Sequence, residues 1–228
     1  LGVAVTARAR RVARLRCNGG GTRAVERVGY SGAQSCKALT LLVPGGTKKC
    51  PQACEGLGDC VGVCAFGAIV IGPEKLPVVD EEKCTGCGRC VEACPKFALA
   101  MHTHAEKLEV RCGNRVPPKE VRKVCEVGCL HCKACVRACP YDALVWKNDL
   151  PVRVDGKCRS CGLCVEVCRP KVMHFAAGFQ PSPEVREEAS RLAAERKAAA
   201  AAAKAQQQPQ PEVAAAAPQP AGPGGKGG

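Results

Sequence analysis

Three stretches of this 228-residue chain place four cysteines at one spacing. CTGCGRCVEACP (84–95) and CLHCKACVRACP (129–140) read C-x2-C-x2-C-x3-C-P in full; CRSCGLCVEVCRP (158–170) matches in its cysteines, while Arg169 moves the proline by one place. Thiolates packed this tightly suit a [4Fe–4S] cube. Three lie on a loop that wraps the cluster. The fourth begins a short helical turn, and the x3 spacing puts it on the same helix face as the third. Gly86, Gly88 and Gly162 let the backbone approach and offer N–H groups to the cluster sulfurs. The proline after Cys94 or Cys139 fixes φ and removes a donor, which favours a turn there. Structural zinc usually uses two short cysteine pairs separated by a longer spacer, so the pattern points to iron and sulfide.

A fourth run is incomplete. CPQACEGLGDCVGVC (50–64) carries Leu57 where the other runs have a cysteine. The chain aligns with itself around this gap. Cys54, Cys60 and Cys64 fall on Cys129, Cys135 and Cys139 at an offset of 75, and Cys84, Cys87, Cys90 and Cys94 fall on Cys158, Cys161, Cys164 and Cys168 at an offset of 74. Leu57 then falls on Cys132, and Cys50 on Cys125, which makes Cys50 the expected substitute ligand. In two-cluster bacterial ferredoxins the fourth cysteine of each run ligates the other cluster. That rule assigns Cys50, Cys54, Cys60 and Cys94 to one cluster and Cys84, Cys87, Cys90 and Cys64 to its partner. In the second copy it assigns Cys129, Cys132, Cys135 and Cys168, then Cys158, Cys161, Cys164 and Cys139.

Cys17, Cys36, Cys112 and Cys125 remain of the 20 cysteines. They suffice for a fifth cluster with nothing left over, which would draw the N-terminal extension and the connector 111–128 together; the alternative is a set of free buried thiols. Aromatic residues make up only 3% of the chain, so clusters rather than rings are expected to fill the core. The net charge of +13 suggests an anionic partner. An oxidised cluster with four thiolates carries about −2, however, and five would leave the holoprotein only mildly basic. With so few rings to stack on bases, nucleic acid is not an expected partner. Disulfides lack their usual context, because the arginine-rich LGVAVTARARRVARLR has no apolar signal segment. No run of about 18 apolar residues occurs, so no membrane span is expected.

Between paired runs, AIVIGPEKLPVVD (68–80) and ALVWKNDLPVRVD (143–155) each read as strand, polar turn, strand. The expected fold is α+β, with two tandem two-cluster [4Fe–4S] ferredoxin-like modules of short helices and β-hairpins around the clusters. The divisions are an extension with cluster ligands (1–49), a first module (50–110), a ligand-bearing connector (111–128), a second module (129–177), and an Ala-rich helix with a disordered tail (178–228). Ser182 and Pro183 open that helix, with acids early and bases late to complement its dipole.

Other features read more plainly. CEVGCLHC (125–132) also fits the C-x3-C-x2-C run of radical enzymes, but Cys135 and Cys139 continue it as a ferredoxin run and no barrel fits the length. His131 reads as a surface residue, and Tyr141 and Trp146 as core. CNGGG (17–21) lacks the G-K-[ST] context of a phosphate loop. No paired catalytic groups occur, so no catalytic residue is assigned.

RCNGGGTRA, CPQACEGLGDCVGVCAFGAI, LPVVDEEKCTGCGRCVEACP and VRKVCEVGCLHCKACVRACP together resemble the B subunit of Rnf complexes, in its longer clostridial form. The resemblance covers about residues 8–177. It implies an electron-transfer subunit of a membrane-bound, ion-translocating ferredoxin:NAD oxidoreductase complex. The implied partners are reduced ferredoxin and the other complex subunits, on the cytoplasmic side of the membrane. Family members usually begin with a membrane helix and a further four-cysteine domain. Neither occurs here, so the chain is expected to be an N-terminally incomplete piece or a soluble relative. Ala65 also replaces the usual proline after Cys64. The alternatives are a polyferredoxin subunit of a soluble oxidoreductase or hydrogenase and, from a different class, a zinc-bearing nucleic-acid binder.

Overall fold

The computed structural model describes residues 9–206; the low-complexity tail beyond Gln206 lies outside them. In chain order the elements of the first half are β1 (Arg11–Leu15), α1 (Cys36–Leu42), α2 (Asp59–Gly62), β2 (Ile69–Ile71), β3 (Pro77–Val79), α3 (Arg89–Glu92) and β4 (Leu99–Thr103). The second half has β5 (Leu108–Val110), α4 (Val121–Val124), α5 (Ala134–Arg137), β6 (Leu144–Lys147), β7 (Leu150–Arg153), α6 (Leu163–Glu166), β8 (Met173–Phe175) and α7 (Pro183–Gln206).

The strands form four antiparallel two-stranded ribbons, β1–β4, β2–β3, β5–β8 and β6–β7. The two stretches read as hairpins form β2–β3 and β6–β7. The other two ribbons redraw the expected boundaries. β5 closes the span 50–110 but pairs with β8 of the second half, while β1, from the N-terminal extension, completes the first half on β4. Leu15 faces Leu99 and Val110 faces Met173. Leu99 and Met173 are repeat partners at an offset of 74, so β1 and β5 are equivalent as well, at an offset of 95 (110 minus 15).

Isolated two-stranded ribbons are marginal in water, and these are held by a core built largely from sulfur. Ala13, Cys60, Ile69, Cys90 and Leu99 form the buried cluster of the first half; Leu108, Cys135, Leu144, Cys164 and Met173 hold the equivalent places in the second. Between the halves, residues 23–27 run as a strap. Val25 N–H donates to the Val124 carbonyl (3.0 Å) and Glu126 N–H to the Arg23 carbonyl (2.9 Å). On the other side Lys49 N–H donates to the Val25 carbonyl (2.8 Å). This strap draws residues 48–50 and 124–126 together.

The helix expected after Ser182 is α7. Val185 N–H donates to Ser182 Oγ (3.4 Å), a serine N-cap. Most of its alanine face is exposed, but Ala189 is fully buried and Arg196 donates to the carbonyls of Cys139 (2.9 Å) and Pro140 (3.0 Å).

Candidate iron–sulfur sites

All four runs share one backbone shape. Left-handed residues flank the second ligand position of each, with Gly56 and Gly58 around Leu57, Gly86 and Gly88 around Cys87, His131 and Lys133 around Cys132, and Ser160 and Gly162 around Cys161. The later residue of each pair caps a one-turn helix carrying the third cysteine. Alternating hand along the chain turns successive N–H groups into a concavity that favours an anion. The loop at 54–60 therefore has the shape of a ligand loop although Leu57 cannot ligate. Past each fourth cysteine the chain turns again, and the N–H groups of Ala98, Ala143 and Val172 donate to the sulfurs of Cys94, Cys139 and Cys168, each at 3.3 Å.

The cysteines gather in sets drawn from distant runs. Cys64 lines one cavity with Cys84, Cys87 and Cys90. Cys139 lines another with Cys158, Cys161 and Cys164. Cys129, Cys135 and Cys168 share a buried cluster, and the Cys132 thiol neighbours that of Cys135.

The remaining run corrects an expectation. Its cavity is lined by Cys54, Cys60, Cys94 and Cys36, not by Cys50. Cys36 heads α1, and Asp59 fixes that helix end. The Asp59 carboxylate accepts from the N–H groups of Cys36 (2.8 Å) and Lys37 (2.9 Å) and from Ser35 Oγ (3.1 Å). Burial raises the pKa of the Cys36 thiol, and the Asp59 and Leu57 amides that point at it pull the other way. The Cys36 sulfur thus meets the amide of the residue that lacks a sulfur of its own. Cys50 lies elsewhere. Burial pushes its thiol up to about 12, and the thiols that add to this are Cys17, Cys112 and Cys125.

Burial dominates the other ligand positions as well. It pushes Cys54, Cys60 and Cys129 up to about 12 and Cys90 and Cys135 up to about 11, and it raises Cys164 further. Metal ligation needs thiolates, so iron must displace these protons and supply the charge that makes burial tolerable. Among the described residues no three Cys, His, Asp or Glu side chains converge tightly enough for a single ion. A four-iron cluster takes one thiolate per iron and spreads them around its volume, which the sets fit.

Known proteins share this chemistry. Residues 77–100 match the 4Fe-4S binding domain family, and residues 128–172 match the 4Fe-4S dicluster domain family. The B subunit of the Na(+)-translocating ferredoxin:NAD(+) oxidoreductase complex of Acetobacterium woodii is 41% identical over 168 residues, which is 74% of this chain and 50% of that protein. The B subunit of the ion-translocating oxidoreductase complex of Methanosarcina acetivorans is 38% identical over 77% of this chain and 66% of its own length. The B subunit of the proton-translocating ferredoxin:NAD(+) oxidoreductase complex of Clostridium ljungdahlii is 43% identical over 69% of this chain and 56% of its own length.

The chain belongs to this B-subunit family. As a member it carries two [4Fe–4S] ferredoxin-type segments, and it spans between half and two thirds of the length of these relatives. Among the described residues no helix is long and apolar enough to cross a membrane.

Some residues that build the sites in this B-subunit relative were not legible as functional. Asp59 reads in sequence as an ordinary first-turn acid of α2. Glu55 and Lys96 form a buried pair at 3.4 Å beside the Cys54 and Cys94 ligand positions, and Thr47 Oγ1 donates to Glu55 (2.6 Å) while Lys96 donates to the Gly45 carbonyl (2.6 Å). Lys48, also buried, donates to the Cys54 carbonyl (2.8 Å). The only available signal was the placement of charged residues next to ligands.

Proposed function

We propose that the chain relays single electrons through [4Fe–4S] clusters, from reduced ferredoxin towards the other subunits of an ion-translocating ferredoxin:NAD oxidoreductase complex at the cytoplasmic side of the membrane. Four clusters lie in the two modules. Cys36, Cys54, Cys60 and Cys94 hold one, and Cys64, Cys84, Cys87 and Cys90 its partner. Cys129, Cys132, Cys135 and Cys168 hold the third, and Cys139, Cys158, Cys161 and Cys164 the fourth. Cys17, Cys50, Cys112 and Cys125 remain for a fifth between the halves.

The supporting observation is the exchange of fourth cysteines. Cys60 faces one cavity and Cys64 the other, although both belong to the turn around α2. Four residues of helix span about 6 Å, so paired clusters lie within easy tunnelling reach. The bound clusters supply reversible one-electron storage. The chain's own residues hold them, exclude water, and aim N–H groups at the sulfurs, which favours the reduced, more negative state. Cys87 is exposed, so a partner's cluster can come close to that edge.

Anaerobic stopped-flow mixing with chemically reduced ferredoxin tests the reading. The visible absorption of the holoprotein should bleach as the ferredoxin reoxidises. Holoprotein that stays oxidised in the presence of reduced ferredoxin would contradict it.

A further inference from the structure

Cys87 and Cys132 are exposed, and each sits at the second ligand position of its run. The repeat partner of Cys87 is Cys161, at an offset of 74, and it is buried at 8% exposure. The two loops share one backbone shape, so the difference comes from what lies over them. In the first half the chain leaves β4 by a short turn into β5, and a Cβ placed on Gly88 would meet nothing within 4 Å. In the second half it leaves β8 and continues across the site. A Cβ on Gly162, the partner of Gly88, would meet Phe175 at 3.3 Å and Pro181 at 3.8 Å. Phe175 in turn packs on Phe179, with ring centroids 5.2 Å apart.

Beyond Pro181 the cover is α7, and it is held at few points. Val185, Ala189, Leu192 and Ala193 recur at i, i+4, i+7 and i+8 and form the one stripe that turns inward; only Ala189 is fully buried. Arg186 pairs with Glu166 at the end of α6, and Arg196 pairs with Asp142 at 2.9 Å beside its bonds to the Cys139 and Pro140 carbonyls. Both ion pairs are exposed, so each contributes little and weakens with salt. Beneath the helix, Tyr141 feels the charge of both Glu188 and Cys161, and its Oη is buried without a hydrogen-bond partner. Water would satisfy that hydroxyl with the helix lifted, which works against closure. Gly178, left-handed and with open space around it, gives the chain a hinge between β8 and α7.

We propose that α7 is a latched lid over the Cys139, Cys158, Cys161 and Cys164 site, hinged near Gly178, which keeps solvent and redox partners from the Cys161 edge until Arg186 and Arg196 release. The exclusion of partners rests on the relay reading above; the lid itself does not. Closed, the lid leaves Cys87 and Cys132 as the open ligand edges of the chain. A diffusing carrier cannot then discharge the last site of the second half, and exchange there requires the latch to open.

Cysteine labelling of the anaerobically reconstituted, full-length protein tests the lid. Ferricyanide breaks down the clusters, iodoacetamide traps each freed thiol, and mass spectrometry reads which cysteines carry the label. In the unaltered protein at low salt, Cys84, Cys87 and Cys90 should be labelled well before Cys158, Cys161 and Cys164. Arg186→Ala combined with Arg196→Ala should speed labelling of the second set about tenfold, as loss of two exposed pairs allows, and leave the first set unchanged. Equal labelling of the two sets in the unaltered protein would overturn the lid, and so would a second set whose rate the double variant leaves unchanged. Should the variant fail to take up its clusters, raising salt to about 1 M in the unaltered protein decides instead, since screening should open the latch and an unchanged rate would overturn it. For the exclusion of partners, the double variant mixed with reduced ferredoxin should bleach faster than the unaltered protein. Equal rates would overturn that role while leaving the lid. If ferredoxin reduces neither protein, the relay reading falls and the labelling still judges the lid.

Discussion

Arg14 and Glu109 hold equivalent places in the two halves, at the same offset of 95 that relates Cys17 to Cys112, and they face each other at 3.3 Å. Arg14 is 3% exposed and also grips Glu81 of its own half, Nε to Oε1 at 2.7 Å. One buried guanidinium is thus shared by a carboxylate from each half, a few residues from Cys17 and Cys112.

Arg14→Met removes the cation that Glu81 and Glu109 share and leaves Glu109 with Arg111 alone, at 2.8 Å. Breaking a buried pair in this way costs about 3–5 kcal/mol. The expected result is a lower thermal midpoint of the holoprotein, which scanning calorimetry checks; an unchanged midpoint would contradict it.

Leu57 gives a sharper test of ligand identity. Cys36→Ala should destroy the cube at Cys54, Cys60 and Cys94, and adding Leu57→Cys should restore it, because Gly56 and Gly58 already hold that loop in the shape of a ligand loop. The same Leu57→Cys change should not rescue Cys50→Ala. Electron paramagnetic resonance of the reduced variants distinguishes the two outcomes.

Asp59→Ala removes the acceptor for the Cys36 and Lys37 amides. Loss of a cap of this kind costs about 1 kcal/mol, which lowers the midpoint of a chain this size by about 2–4 °C. Because α1 then frays at the ligand itself, the cube held by Cys36 should be lost faster in air than in the unaltered protein. Asp59→Asn keeps an acceptor oxygen and should fall between the two.

Stripping the clusters should unfold the chain. Half of the buried cluster in the second module is cysteine, namely Cys112, Cys129, Cys135, Cys164 and Cys168. Without iron those positions are small thiols around a void, and the short ribbons have little else to pack on. Circular dichroism should fall in step with visible absorbance as a chelator and an oxidant remove iron. A folded spectrum in fully stripped protein would contradict this.

Much of this arrangement was legible because identical ligand runs fix identical loops, and the offsets of 75 and 74 align them without a structure. What the offsets hid was an insertion. Cys17 and Cys50 are 33 residues apart, whereas Cys112 and Cys125 are 13 apart, so the first half carries 20 extra residues there. Those residues hold α1 and Cys36. The insertion therefore brings Cys36 into the cavity beside Leu57, and it breaks the register that would have shown β1 and β5 to be equivalent. Cys50 was the natural choice in sequence because it adjoins the run. In space the strap at 23–27 pulls it towards Cys125 instead, which no local pattern encodes.

A chain of cubes in one small protein is tested most directly by Mössbauer spectroscopy, with iron and sulfide analysis, of the anaerobically reconstituted chain. The expected result is about 20 irons and 20 sulfides per chain, all in [4Fe–4S] cubes. Zinc in the cysteine sites, or iron held as isolated ions without sulfide, would contradict it.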